Sequence, residues 1–184
     1  MLPNACDVTP EPCCNDLYNV ADHLLTTVFD AIQQCMADQT CVEKQLTAYV
    51  TIGAGDDGNT DALTVEFDGG SPTPRSVQGG KGVVVSRTTF TVRLRESNWP
   101  IVRREDGAPV MPPPVEQNHA AKYAFARGEL VWRTLLGMQA TKTLVPASVR
   151  GCLDTQVRDL RPMRPAGGVI GWTVQVDIDF PWGF

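Results

Sequence analysis

Residues 171–180, Gly-Trp-Thr-Val-Gln-Val-Asp-Ile-Asp-Phe, alternate strictly between apolar and polar side chains. Successive side chains of a strand point to opposite faces, so Trp172, Val174, Val176, Ile178 and Phe180 share one face and Thr173, Gln175, Asp177 and Asp179 share the other. A strand of this kind needs a sheet with one packed face and one face turned to water, a lumen or a partner. The polar side reads as a solvated or lumen-facing stripe. Reversing Asp177 and Asp179 to lysine is therefore expected to leave folding intact.

The rest of the chain supplies what such a sheet packs against. Leu17, Val20, Ala21, Leu24, Val28, Ile32 and Cys35 recur at helical spacing, which predicts a helix over 15–37 capped by Asn15 or Asp16. Residues 46–52 and 62–67 read as strands around 53–59, a run rich in glycine, aspartate and asparagine, so a hairpin with a long tip is expected. The glycine- and proline-rich stretch 68–82, with Arg75 and Lys81, predicts a flexible loop. Residues 83–96 carry the longest strand signal. Five prolines make 99–115 a surface crossing or extended arm, because proline removes donors and restricts its predecessor. A second helix is predicted over 116–136 with Gly137 as its C-terminal cap. Leu153, Val157 and Leu160 follow, and 161–168 turns into the closing strand. Strands grouped before a helix favour a single α+β domain, a mainly antiparallel sheet packed on two helices, over a parallel βαβ fold.

With 184 residues, 42% of them hydrophobic, the chain is long enough to bury its own core and short for two domains. A net charge of −5 argues against a duplex-binding surface. The first residues carry no basic segment and no apolar run of signal-peptide length, and no eighteen-residue apolar stretch occurs, so a cytoplasmic, soluble product with no membrane partner is expected. Five cysteines crowd the first 41 residues as an irregular Cys/Pro-rich arm over 1–14 (Cys6, Cys13, Cys14), then Cys35 and Cys41, with Cys152 far away. Reduced thiols are the expectation in a chain too large to need staples; a Cys35–Cys41 bridge or a link from Cys6 to the vicinal pair are the alternatives.

Motifs for chemistry fail on inspection. Gly79-Gly80-Lys81-Gly82 lacks the first glycine and the Ser/Thr of a phosphate loop. His23 and His119 fall on helices, with no nucleophile placed beside them by the sequence. Asp56 and Asp57 lack the alternating oxygens of a calcium loop. Cys-x2-Cys and His-x3-His spacings, the usual zinc signatures, do not occur. No cofactor, metal or catalytic residue is expected.

The order of elements resembles that of the tail terminator proteins of long-tailed bacteriophages. The residues behind the resemblance are the helix at 17–36, the long strand at 88–96, the second helix from His119 (His-Ala-Ala-Lys-Tyr-Ala-Phe-Ala-Arg-Gly-Glu-Leu-Val-Trp-Arg-Thr-Leu) and the closing Gly-Gly-x-x-Gly-Trp strand at 168–180. The resemblance implies a homo-hexameric ring in the virion neck that caps the tail tube, stops its polymerisation and offers the head a docking surface. Its partners would be further copies of the chain, the tail tube protein, a head-side connector and the genome DNA, passing without sequence-specific binding. The polar face Thr173, Gln175, Asp177 and Asp179 would be channel-facing or interfacial, an acidic wall that repels phosphates; Arg75, Lys81, Trp99, Arg103 and Arg104 would make subunit or tube contacts. A head-to-tail connector or minor tail protein competes with this reading. From other classes, so do a small cysteine-dependent enzyme using Cys13 or Cys14 and a secreted disulfide-stabilised binding module.

Overall fold

Seven elements follow one another in the computed structural model: α1 (Asp16–Ala37), β1 (Thr47–Ile52), β2 (Ala62–Arg75), β3 (Val83–Ser97), α2 (Pro114–Ala140), β4 (Asp154–Pro162) and β5 (Val169–Trp182). The residues described are 16–37, 46–53, 61–75, 83–97, 114–149, 152, 154–163 and 169–182. The expected arm at 1–14, the loop residues 76–82, the crossing 99–113 and Cys41 lie outside them, as do Asp56, Asp57, Lys81, Trp99, Arg103 and Arg104.

The strands form one sheet in the order β1-β2-β3-β5-β4, antiparallel except where β1 runs parallel to β2. Both helices lie on the same side, α1 over β1, β2 and β3, α2 over β4 and β5, and they touch each other. The stripe Val20, Leu24, Val28 and Ile32 of α1 and Val131, Leu135 and Met138 of α2 close on Leu63, Val65, Phe90, Val92, Leu94, Val174, Val176 and Ile178. The fold is a single α+β domain, and the apolar face of the closing strand is its core face. Burying a large aliphatic or aromatic side chain there contributes about 1.5–3 kcal/mol, so the period-two pattern of β3 and β5 is held in register by its own cost of slipping.

Three local expectations are corrected. β1 and β2 do not form a hairpin; they run side by side in the same direction, with Thr47 opposite Ala62 and Ile52 opposite Phe67. Six strand residues rise only about 20 Å, and the connecting residues 53–61 can span up to about 30 Å, so a short return suffices. β2 continues through Arg75, where a loop from residue 68 was expected, because β3 is long enough to pair with it up to Val83. The switch occurs at a bulge between Phe67 and Gly69, where Asp68 is the extra residue and Gly69 sits at φ 120°, a value side chains rarely adopt. The cap of α2 is Lys142 instead of Gly137: its φ is 59°, Thr143 N–H donates to Met138 O (2.8 Å) and Lys142 N–H to Gln139 O (3.1 Å), a Schellman motif.

A second bulge lies in β4. Val157 pairs with Val176 and Leu160 with Val174, so the strand gains one residue there. Two core residues spaced by three would fall on opposite faces of a regular strand; the bulge keeps both against the core. The backbone groups it frees from the ladder are met by α2, since Val157 N–H donates to Gln139 Oε1 (2.8 Å) and Trp132 Nε1–H donates to Arg158 O (3.2 Å).

Candidate functional site

The face of the sheet opposite the helices is polar, and the register decides which of its side chains meet. On β3, Arg87, Thr89, Thr91 and Arg93 point to it, and on β5 Asp179, Asp177, Gln175 and Thr173 stand directly opposite them in that order. Glu66 and the bulge residue Asp68 extend the row from β2, and Arg158 extends it from β4.

These groups pair across strands. Arg87 donates from Nε and Nη2 to the two carboxylate oxygens of Asp179 at 2.8 and 3.0 Å. Asp177 accepts from Thr89 Oγ1 at 2.9 Å and from Arg158 Nε at 2.8 Å. Arg93 Nη2 reaches diagonally to Glu66 Oε2 at 2.8 Å, and Thr91 Oγ1 donates to Asp68. The fork of a guanidinium matches a carboxylate in two parallel hydrogen bonds, which fixes geometry as well as charge. The Asp179 hydrogen bond, and then its charge, raise the Arg87 pKa above the usual arginine value.

The carboxylates form the floor and the arginines the outer layer. Asp179 and Asp177 side chains are 4% and 3% exposed, whereas Arg87 and Arg158 above them are 41% and 43% exposed. The expected solvated acidic stripe is thus corrected: Thr173 and Gln175 are half-buried, Asp177 and Asp179 are buried, and what lies outward of those two is the guanidinium of Arg87 and Arg158, with the exposed Asp68 and Asp154 at the two sides of the face. Charge reversal at both aspartates would set lysines against Arg87 and Arg158 in a buried position, so the expectation of intact folding does not survive either. The arginines come from strands about 20 and 90 residues away in sequence, and no pattern local to β5 points to them.

Of the other expected contact residues, Arg75 falls at the end of β2. His23 is half-buried on α1 with Nε2 donating to Thr143 O at 2.8 Å, a structural link between the helix and the turn after α2. His119 falls on α2. Sequence reasoning missed a buried ion pair on the helix side, Arg127 of α2 with Glu96 at the end of β3, and the close seat of Trp172 against Gly128, with Phe125 tilted over the indole at 5.0 Å.

An open pocket of about 660 Å3 lies where α2 ends and β4 begins, lined by Gln139, Lys142, Val149, Cys152 and Asp154 among others. Cys152 is a free thiol whose Sγ donates to Asp154 O at 3.6 Å. Burial pushes its pKa up, against a smaller lowering by that hydrogen bond, so it is a poor nucleophile at neutral pH. Among the described residues, no group of three or more His, Cys, Asp or Glu side chains is placed to hold a metal ion. No described helix is long and apolar enough to cross a membrane.

No protein-family model matches the chain, and no curated protein matches it. Among solved structures, a chain from the virion of a native gene transfer agent particle is similar over 90% of this chain and 99% of its own length, at 12% identity and a TM-score of 0.33. Likeness at that score carries no argument about this chain.

Proposed function

We propose that this chain is a structural virion protein and, within that class, a tail terminator: a ring that caps the tail tube, stops its growth and presents a surface to the head. The observation that carries the reading is the two-faced sheet. One face is closed by both helices, and the other is broad, cross-braced by ion pairs over four strands and shaped for contact with another surface. Its polar groups are engaged with each other, whereas general acid–base or nucleophilic chemistry needs groups held apart in pKa and aimed at a substrate. The helix–strand order shared with tail terminators supports the finer assignment. A ring requires a heterologous interface, in which one surface meets a different surface of the next copy, and the polar sheet face and the outer side of the helices that cover the other face supply two such surfaces. The protein would act in the virion neck, with no cofactor and no catalytic residue.

The test is addition of the purified chain to assembling tail-tube subunits, followed by electron microscopy. The reading expects shorter tubes carrying a ring at one end; tubes that grow to the same length with bare ends refute it.

A further inference from the structure

The outer side of α1 carries Asp16, Asp22 and Asp30, all exposed, and the helix contains no lysine or arginine. It lies on the opposite side of the molecule from the arginine-topped face of the sheet. Fourteen residues of helix set Asp16 and Asp30 about 21 Å apart. Arg87 and Arg93, six residues apart on β3, stand about 20 Å apart; Arg158 and the exposed Arg161 on β4 add to them, so that the exposed arginines outnumber the two exposed carboxylates of the face, Asp68 and Asp154.

We propose that the arginine-topped sheet face is the docking surface for a second copy of this chain, which presents the acidic outer side of its α1. The inference rests on the ring reading and names its interface. Each guanidinium has five N–H donors, and Arg87 and Arg158 each commit Nε and Nη2 to the aspartate beneath. The remaining donors belong to side chains that are 41% and 43% exposed and held in place by that pairing, within reach of an incoming acceptor. Carboxylates suit them better than nucleic-acid phosphates. The buried aspartates cancel the long-range field that draws a polyanion, while short-range donors remain for a matching row of acids. The contact is heterologous, α1 of one copy on the sheet of the next, so repetition closes a ring or extends a filament.

The experiment is sedimentation velocity of the full chain at about 50 mM and about 500 mM salt, where the screening length shortens several-fold. The wild-type chain is expected to associate at low salt and to weaken at high salt. The double variant Asp22→Lys with Asp30→Lys, whose side chains are exposed, is expected to associate at least about tenfold more weakly with an unchanged circular dichroism spectrum. Adding Arg161→Glu to it restores part of the association, which a folding defect would not do. Assembly of the double variant equal to wild type overturns the interface and leaves the ring reading standing. A wild-type chain that stays monomeric at every concentration overturns the ring reading, and the interface with it. Retention of labelled duplex DNA by the wild type, lost in Arg161→Glu, would make the face a nucleic-acid surface and overturns the inference.

Discussion

The same substitution at two positions of α2 should have opposite signs. Gly128 and Gly137 both lie within the helix, and neither has a positive φ. Replacing a helical glycine by alanine removes unfolded-state freedom and favours the helix by about 0.5–1 kcal/mol. At Gly137 a new Cβ meets nothing within 4 Å, so the gain is expected nearly intact, reduced by the nearness of the helix end. At Gly128 the Cβ would sit 2.7–2.8 Å from three ring atoms of Trp172. An ordinary carbon contact is about 3.5–4.0 Å, so the indole or the helix must retreat by about 0.7 Å or more. The indole is buried, and Phe125 packs against it at 5.0 Å. Overpacking a core costs about 1–3 kcal/mol, which outweighs the propensity gain and leaves Gly128→Ala about 1–2 kcal/mol less stable. For a chain of this size each kcal/mol moves Tm by about 2–4 °C. Thermal unfolding followed by circular dichroism should therefore show Gly137→Ala up by about 1–3 °C and Gly128→Ala down by about 2–8 °C. If Gly128→Ala rises like Gly137→Ala, the helix is not seated on Trp172 and the packing described for α2 is wrong.

Asp177→Ala removes the acceptor for Thr89 and Arg158; because Arg158 is partly exposed and can rehydrate, the expected loss is about 2 kcal/mol, read as a lower urea midpoint at unchanged m. Lys142→Gly relieves a left-handed residue at the end of α2 and should gain about 1 kcal/mol in the same assay. Cys152 should react with iodoacetamide far more slowly in the native chain than in urea at neutral pH, scored by peptide mass spectrometry, and should speed up only above the ordinary thiol range. Because its folded pKa is raised, the unfolded chain gives up the proton first, so this group's contribution to stability is present at neutral pH and falls as pH climbs through that range.

The core was legible where one periodicity ran long enough to specify a face. The stripe of α1, the alternation of β3 and the alternation of β5 each assigned a buried side, and the structure buries those sides. Direction was not legible: β1 and β2 alternate the same way whether parallel or antiparallel, and the turn-rich residues after Ile52 suited a hairpin equally well. Nor was the length of β2, whose glycines and prolines disfavour a strand until β3 supplies a partner along the whole of it. The spacing of Val157 and Leu160 held a readable sign of the β4 bulge, since core positions three apart break a period of two. The polar face was found as a set of residues on β5 but misread in its exposure. Burial of Asp177 and Asp179 depends on arginines that only tertiary register brings alongside, as the pairing of Arg87 with Asp179 shows.

The central claim is that the chain ends tail growth as part of a virion. If the proposed function holds, it is tested most directly by electron microscopy of lysates from a tailed phage whose genome carries this reading frame with an early stop codon. The account predicts overlong, headless tubes beside filled heads. Tails of normal length beside unattached or leaking heads would move the protein to the head side of the joint, and unchanged infectious particles would contradict the assembly account altogether.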